Sequence, residues 1–107
     1  MMNEEQMQLL GEKVVEVLRG IYDPEIPVDI YELGLIYDVR VSEEGSVEID
    51  MTLTSPSCPV AESMPEEVKQ KVSAIDEVKD AEVIMVFDPT WTKDMMSEEA
   101  KLELGFL

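Results

Sequence analysis

Along the first part of the chain, Met7, Leu10, Val14, Val17, Leu18 and Ile21 recur at three- and four-residue steps. That spacing predicts a helix with one apolar face. Asn3-Glu-Glu-Gln6 reads as its start, with Asn3 as N-cap and Gln6 reaching back. Gly20 reads as its stop. The period then breaks. Residues 22–34 contain Pro24, Pro27 and Gly34, which argue against a regular element. Ile26, Val28, Ile30 and Leu33 anchor this loop, which has room for one short helical turn. A period of two follows. Leu35, Tyr37, Val39 and Val41 alternate with Ile36, Asp38 and Arg40. Val47, Ile49, Met51 and Leu53 alternate with Glu48, Asp50, Thr52 and Thr54. Both runs predict half-buried strands. Ser42-Glu-Glu-Gly-Ser46 reads as the hairpin turn that makes them antiparallel.

Helical spacing returns at Val60, Ala61, Met64, Val68, Val72 and Ile75, with Pro65 either kinking the helix or marking its regular start. A third strand is expected over Ala81–Phe87, ended by Asp88-Pro-Thr-Trp-Thr92. A short last helix should run from about Ser97, with Glu98 and Glu99 in its first turn and Gly105 as its stop. The order is α-β-β-α-β-α. It predicts an α/β two-layer sandwich (α+β), a three-stranded mixed sheet with helices on one face. The strand–helix–strand crossover should be right-handed. No repeat, linker or low-complexity segment divides the chain, so residues 1–107 read as a single domain.

Composition narrows the function classes. At 107 residues and 45% hydrophobic content, the chain suits one globular domain. Its formal charge of −17 repels phosphate backbones and anionic membrane, so no nucleic acid and no membrane are expected as partners. Such acidity serves solubility, or attraction to basic or metal-bearing partners. No apolar run reaches the length of a membrane span. The start, Met1-Met-Asn-Glu-Glu-Gln, is acidic where a secretory leader is basic. A single cysteine excludes an intramolecular disulfide. A cytoplasmic, reducing location is expected.

The chain has no histidine, and Cys58 is its one cysteine. This thiol follows the second strand in Met51-Thr-Leu-Thr-Ser-Pro-Ser-Cys-Pro59. Pro59 suits the first position of the next helix. A thiol at a helix N-terminus meets the positive end of the backbone dipole, which favours thiolate; neighbouring carboxylates oppose it. Two readings stand: a reactive thiol in a loop placed by a strand and a helix, or a buried small hydrophobe. Asp23-Pro-Glu25 is a stiff pair of carboxylates. It is either a solvated turn or, if folded toward Cys58, a proton acceptor or oxygen ligand. Thr52, Thr54, Ser55 and Ser57 place hydroxyls near the thiol; they either bond sulfur or satisfy the strand end and cap the helix. Trp91 reads as core or as a partner-facing anchor. Iron–sulfur clusters take about four protein ligands, mostly thiolates. One thiol per chain therefore suits transient or shared handling of metal.

These residues, taken together, resemble a known family. Asp23-Pro-Glu25, Val28-Asp-Ile-Tyr-Glu-Leu-Gly-Leu-Ile-Tyr37, Met51 to Pro59, Asp88-Pro-Thr-Trp91 and Met96-Ser-Glu-Glu-Ala-Lys-Leu-Glu-Leu-Gly105 stand in its order and spacing. The chain is similar to the SufT-like single-domain members of the metal–sulfur cluster biosynthesis family. That family also includes PaaD-type proteins and the eukaryotic cytosolic iron–sulfur targeting subunit. The resemblance implies the fold of iron–sulfur cluster assembly domains and an accessory role in maturing iron–sulfur proteins, as in the SUF system. It implies Cys58 as the functional thiol or metal contact, with Asp23, Glu25, Thr54 and Ser55 as its polar neighbours. The chain departs from the family in three respects. It lacks the C-terminal cysteines of PaaD-type proteins and the P-loop of the fused carrier ATPases, and Pro65 falls where the family's helix continues.

The leading expectation is an accessory factor, not an enzyme, that contacts iron, a cluster or a client through Cys58. A transient iron–sulfur cluster or iron is expected, with no stable cofactor. The partners would be iron–sulfur assembly proteins and apo-client proteins. An open sheet edge also favours a homodimer. Two alternatives remain. One is a thiol enzyme with Asp23 or Glu25 as base, which is a poor match to a thiol pKa of about 8.5. The other is a metal-free adaptor working through the surface around Trp91.

Overall fold

The structure is a computed structural model and describes residues 2–22, 28–53 and 63–105, residue 63 by its backbone alone. Helix α1 spans Glu4–Leu18, strand β1 Ile36–Val41, strand β2 Ser46–Met51, helix α2 Ser63–Ser73, strand β3 Asp80–Met85 and helix α3 Glu98–Glu103. The expected order and fold class hold, with one addition, a 3-10 turn at Lys93–Met95. No helix among the described residues is long and apolar enough to cross a membrane.

Helix α1 begins where its sequence says it should. Asn3 Oδ1 accepts from the Gln6 N–H at 2.8 Å, and Gln6 Oε1 accepts from the Asn3 N–H at 3.0 Å. This reciprocal box satisfies two of the N–H groups that a helix start leaves open. Leu10, Val14 and Leu18 face inward, and Ile21 continues the stripe just past the end. Arg19 caps the C-terminus, with Gly20 the residue after it. Helix α2 buries Met64, Val68 and Val72, one residue per turn, along a single face. Pro65 stands in its first described turn, where a missing N–H costs little.

The sheet order is β1-β2-β3. β1 and β2 run antiparallel, and β2 and β3 run parallel across the α2 crossover. The central strand shows the clearest alternation. Val47, Ile49 and Met51 are buried, and Leu53 extends the pattern beyond the strand. β1 departs from its sequence reading. Ile36 pairs with Met51 but Asp38 pairs with Asp50, so one extra residue, Tyr37, is inserted there. Such a bulge shifts the phase of every later side chain. Ile36, Val39 and Val41 therefore pack against the core together, which simple alternation from Leu35 did not anticipate.

The opposite sheet face is polar. Arg40 reaches Asp50 with two hydrogen bonds of 2.9 and 2.8 Å and Asp38 with one of 2.9 Å. These contacts, that with Asp50 first, raise the Arg40 pKa, and the Arg40 hydrogen bonds lower that of Asp50. The hairpin turn closes through Ser42, whose N–H bonds the Ser46 carbonyl at 2.9 Å. Gly45 there has φ +90°, a conformation glycine adopts without strain.

Candidate functional site

The register Ile36–Met51–Met85 defines one end of the sheet. The residues on either side of 23–27 and those leading into 54–62 gather there. The Thr52 N–H bonds the Leu35 carbonyl at 2.8 Å, and the Leu35 N–H bonds the Ile30 carbonyl at 3.1 Å. Across residues 23–27, the flanks are pinned by a bridge between Tyr22 and Asp29 and by the Ile30 N–H on the Ile21 carbonyl at 2.8 Å. Thr52 and Leu53, which precede residues 54–62, are both buried. The flanks of 23–27 and the chain entering 54–62 thus rise from one hydrogen-bonded base.

That base is braced by the chain after β3. The Trp91 Nε1–H donates to the Leu33 carbonyl at 2.8 Å, and the Tyr37 hydroxyl donates to the Pro89 carbonyl at 2.6 Å. Tyr37 also lies 3.5 Å from Met95 Sδ. Gly34, at φ +80°, lets the Met95 carbonyl approach so closely that a Cβ would sit 2.3 Å from its oxygen. Between these groups lies an apolar hollow of about 490 Å³, lined by Gly34, Ile36, Tyr37, Pro89 and Met95. Phe87 is about half exposed beyond the strand end, at 47%.

The turn over residues 28–35 has its own polar support. Val28, Ile30 and Leu33 anchor it in the core as expected, and the Leu33 N–H bonds the Asp29 carbonyl in one helical turn. Asp29 Oδ2 accepts from the Glu32 N–H at 3.0 Å. The Glu32 carboxyl is held below the ordinary carboxylate range by a hydrogen bond with Ser97 first and by Arg19 second, against a burial that opposes it. Ser97 also caps α3, its Oγ accepting from the Ala100 N–H at 3.1 Å. The Ser97 N–H reaches the Glu32 carbonyl at 2.9 Å. Arg19 stacks over the Tyr31 ring at 5.4 Å from its centroid, a cation–π contact.

Of the residues singled out from sequence, Cys58, Asp23, Glu25, Thr54 and Ser55 lie outside the described residues. So do Ser57, Pro59 and Ile26. Trp91 is described. Its ring packs partly buried against the core, and its N–H is committed to Leu33. Among the described residues, no three Cys, His, Asp or Glu side chains are grouped to hold a metal ion. Sequence reasoning missed the bracing roles of Gly34, Tyr37 and Met95. Gly34, after a run of buried residues, was the one available signal, because a glycine ending a helical turn often has positive φ.

Comparison with known proteins places this architecture. The family model described as "Iron-sulfur cluster assembly protein" matches residues 11–84. A "Fe-S protein maturation auxiliary factor" of Porphyromonas gingivalis is 53% identical over 106 residues, covering 99% of this chain and 100% of that protein. The "Fe-S protein maturation auxiliary factor SufT" of Staphylococcus aureus is 48% identical over 85 residues, covering 79% of this chain and 97% of that protein. Among solved structures, a domain of unknown function, DUF59, from Bacillus anthracis superposes with a TM-score of 0.90 at 39% identity, covering 98% of this chain and 100% of that one. The match of a family model over most of the length, with the same fold in a relative, identifies the chain as a member of the iron–sulfur cluster assembly protein family.

Proposed function

We propose that this protein is an accessory factor in the maturation of iron–sulfur proteins. The observation that carries the reading is 53% identity, along nearly the whole chain, to a protein named as such a factor. In this reading residues 1–107 act as one unit, and Cys58 is the thiol that touches the cargo or the client. Asp23, Glu25, Thr54 and Ser55 are its polar neighbours. The shared base beneath the flanks of 23–27 and the chain entering 54–62 supports that grouping. The exposed part of Trp91 serves as a partner contact.

Chemistry limits how Cys58 can work. With one cysteine and no histidine per chain, a cluster would lack most of its usual ligands. The cluster, or iron, is then cargo, held briefly by Cys58 together with ligands of a second subunit or a partner. The thiol gives up its proton as it binds metal, and the cargo leaves by ligand exchange onto the client. No substrate is turned over. The partners are assembly proteins and apo-clients of the cytoplasm, with a homodimer as one way to supply a second thiol.

The reading is tested in cells lacking the protein, by assaying iron–sulfur enzymes whose polypeptide levels are unchanged. Wild type restores their activity, and Cys58→Ser leaves it at the level of the empty vector. Full restoration by Cys58→Ser would remove the thiol from the mechanism.

A further inference from the structure

Far from the Ile36–Met51–Met85 end, a groove of about 500 Å³ runs between α1 and the β1–β2 turn. Six residues of β2 separate the two ends, roughly 17 Å at strand rise. The groove has an apolar floor and an acidic rim. Leu10, 2% exposed, forms the floor with Met2 and Leu9. Leu9 is 51% exposed and lies beside Leu10 and Met2, so the three make one contiguous apolar strip. The Met2 N–H fixes this margin to the turn by bonding the Glu43 carbonyl at 2.8 Å.

The rim sets the sign of what fits. Lys13 is its one cation, and its Nζ is paired with Glu77 at 2.9 Å. The Glu43 and Glu44 side chains have no ion-pair partner among the described residues. The groove therefore presents apolar surface edged by uncompensated negative charge, on a chain of net charge −17. At this face a second copy would set acidic rim against acidic rim, and an anionic membrane is likewise disfavoured, whereas a basic segment is attracted. We propose that this groove docks a partner protein's amphipathic segment, with aliphatic anchors flanked by lysine or arginine. The anchors displace water from Leu9, Leu10 and Met2. The cations meet Glu43 and Glu44 and speed the encounter. Docking at the hairpin end leaves the opposite end of the sheet open, so one molecule can hold a partner while its other end is engaged. This inference does not depend on the role of Cys58.

The test titrates the full chain, labelled with nitrogen-15, with a synthetic helical peptide of leucine and lysine that has its leucines on one face. Amide shifts are expected at Met2, Leu9, Leu10, Glu43 and Glu44. Leu9→Glu should weaken binding about tenfold, as loss of an interface anchor does. Leu102→Glu adds the same charge at another exposed leucine on α3 and should change it less than about twofold. Leu9→Ala, which adds no charge, should also weaken it. Equal effects of the two glutamate variants, binding left unchanged by Leu9→Ala, or shifts spread over the whole acidic surface would mean unspecific attraction and overturn the proposal. Self-association in sedimentation that moves these same amides would assign the groove to a second copy and overturn it equally.

Discussion

At the Ile36–Met51–Met85 end, side chains reach backbone carbonyls across more than 50 residues of sequence, Tyr37 to Pro89 and Trp91 to Leu33. At the hairpin end, the side-chain bonds are short-range or exposed. Ser42 Oγ accepts from the N–H of Glu44 and of Ser46, and Lys13 meets Glu77 across solvent. The difference is one of environment. The Trp91–Leu33 bond is part-buried and costly to leave unmade, and the exposed Tyr37–Pro89 bond still ties two distant segments together, whereas an exposed ion pair exchanges readily with water. The braced end is thus built to hold loop flanks in place, and the hairpin end to present a surface.

The glycines should separate the two ends most sharply. At Gly34 a Cβ would meet the Met95 carbonyl oxygen at 2.3 Å and its carbon at 2.8 Å, on top of the positive φ. At Gly45 it would meet one carbonyl oxygen, that of Glu77, at 2.8 Å. Gly34→Ala is expected to cost about 3 kcal/mol or more, and Gly45→Ala about half of that, in urea unfolding. A larger loss at Gly45 would reverse the comparison.

Next come the braces themselves. Trp91→Phe leaves the Leu33 carbonyl without its donor, and Tyr37→Phe does the same to Pro89. Trp91→Phe should lower stability by roughly 1 kcal/mol, and Tyr37→Phe by less, because its bond is exposed and water can take over the Pro89 carbonyl. Combined, they should be non-additive if both hold one loop, which a double-mutant cycle reads directly.

A smaller effect is expected with acid. The folded Glu32 carboxyl binds its proton less tightly than the unfolded one, so the unfolded chain takes up more protons. The stability from this group is fully present above its unfolded pKa of about 4.3 and disappears as pH falls through the lower folded value. Glu32→Gln should flatten the pH dependence of unfolding in that window. An unchanged acid limb would show that Ser97 and Arg19 do not stabilise the charged form. The smallest change belongs to the hairpin end, where Lys13→Met should move Tm by no more than about 2 °C, because exposed pairs contribute little.

What could be seen in the sequence follows the range of the forces involved. The Asn3–Gln6 box, the Ser42–Ser46 turn and the alternation from Val47 to Met51 depend on residues a few positions apart, and they stand in the structure as read, whereas Thr52, read as outward, is buried. So does α3, from its Ser97 cap to Gly105 at φ +81°. The bulge at Tyr37 was hidden because Tyr37, Val39 and Val41 keep a period of two despite the apolar run Leu35-Ile36-Tyr37, and only the pairing with β2 exposes the extra residue. The Trp91 brace was hidden for a similar reason. Nothing near Trp91 announces a carbonyl 58 residues away. Cys58 was singled out by counting, since it is the one thiol in the chain. The flanking base at Leu35 and Thr52 could not be found that way, because it is made of backbone.

The central claim is that this protein passes iron–sulfur cargo to clients through one thiol. It is tested most directly by anaerobic reconstitution followed by transfer to an apo-client, with wild type and Cys58→Ser compared by recovery of client activity. Wild type should speed recovery and Cys58→Ser should give the rate of the client incubated without the protein. Equal rates for wild type and Cys58→Ser would contradict the account.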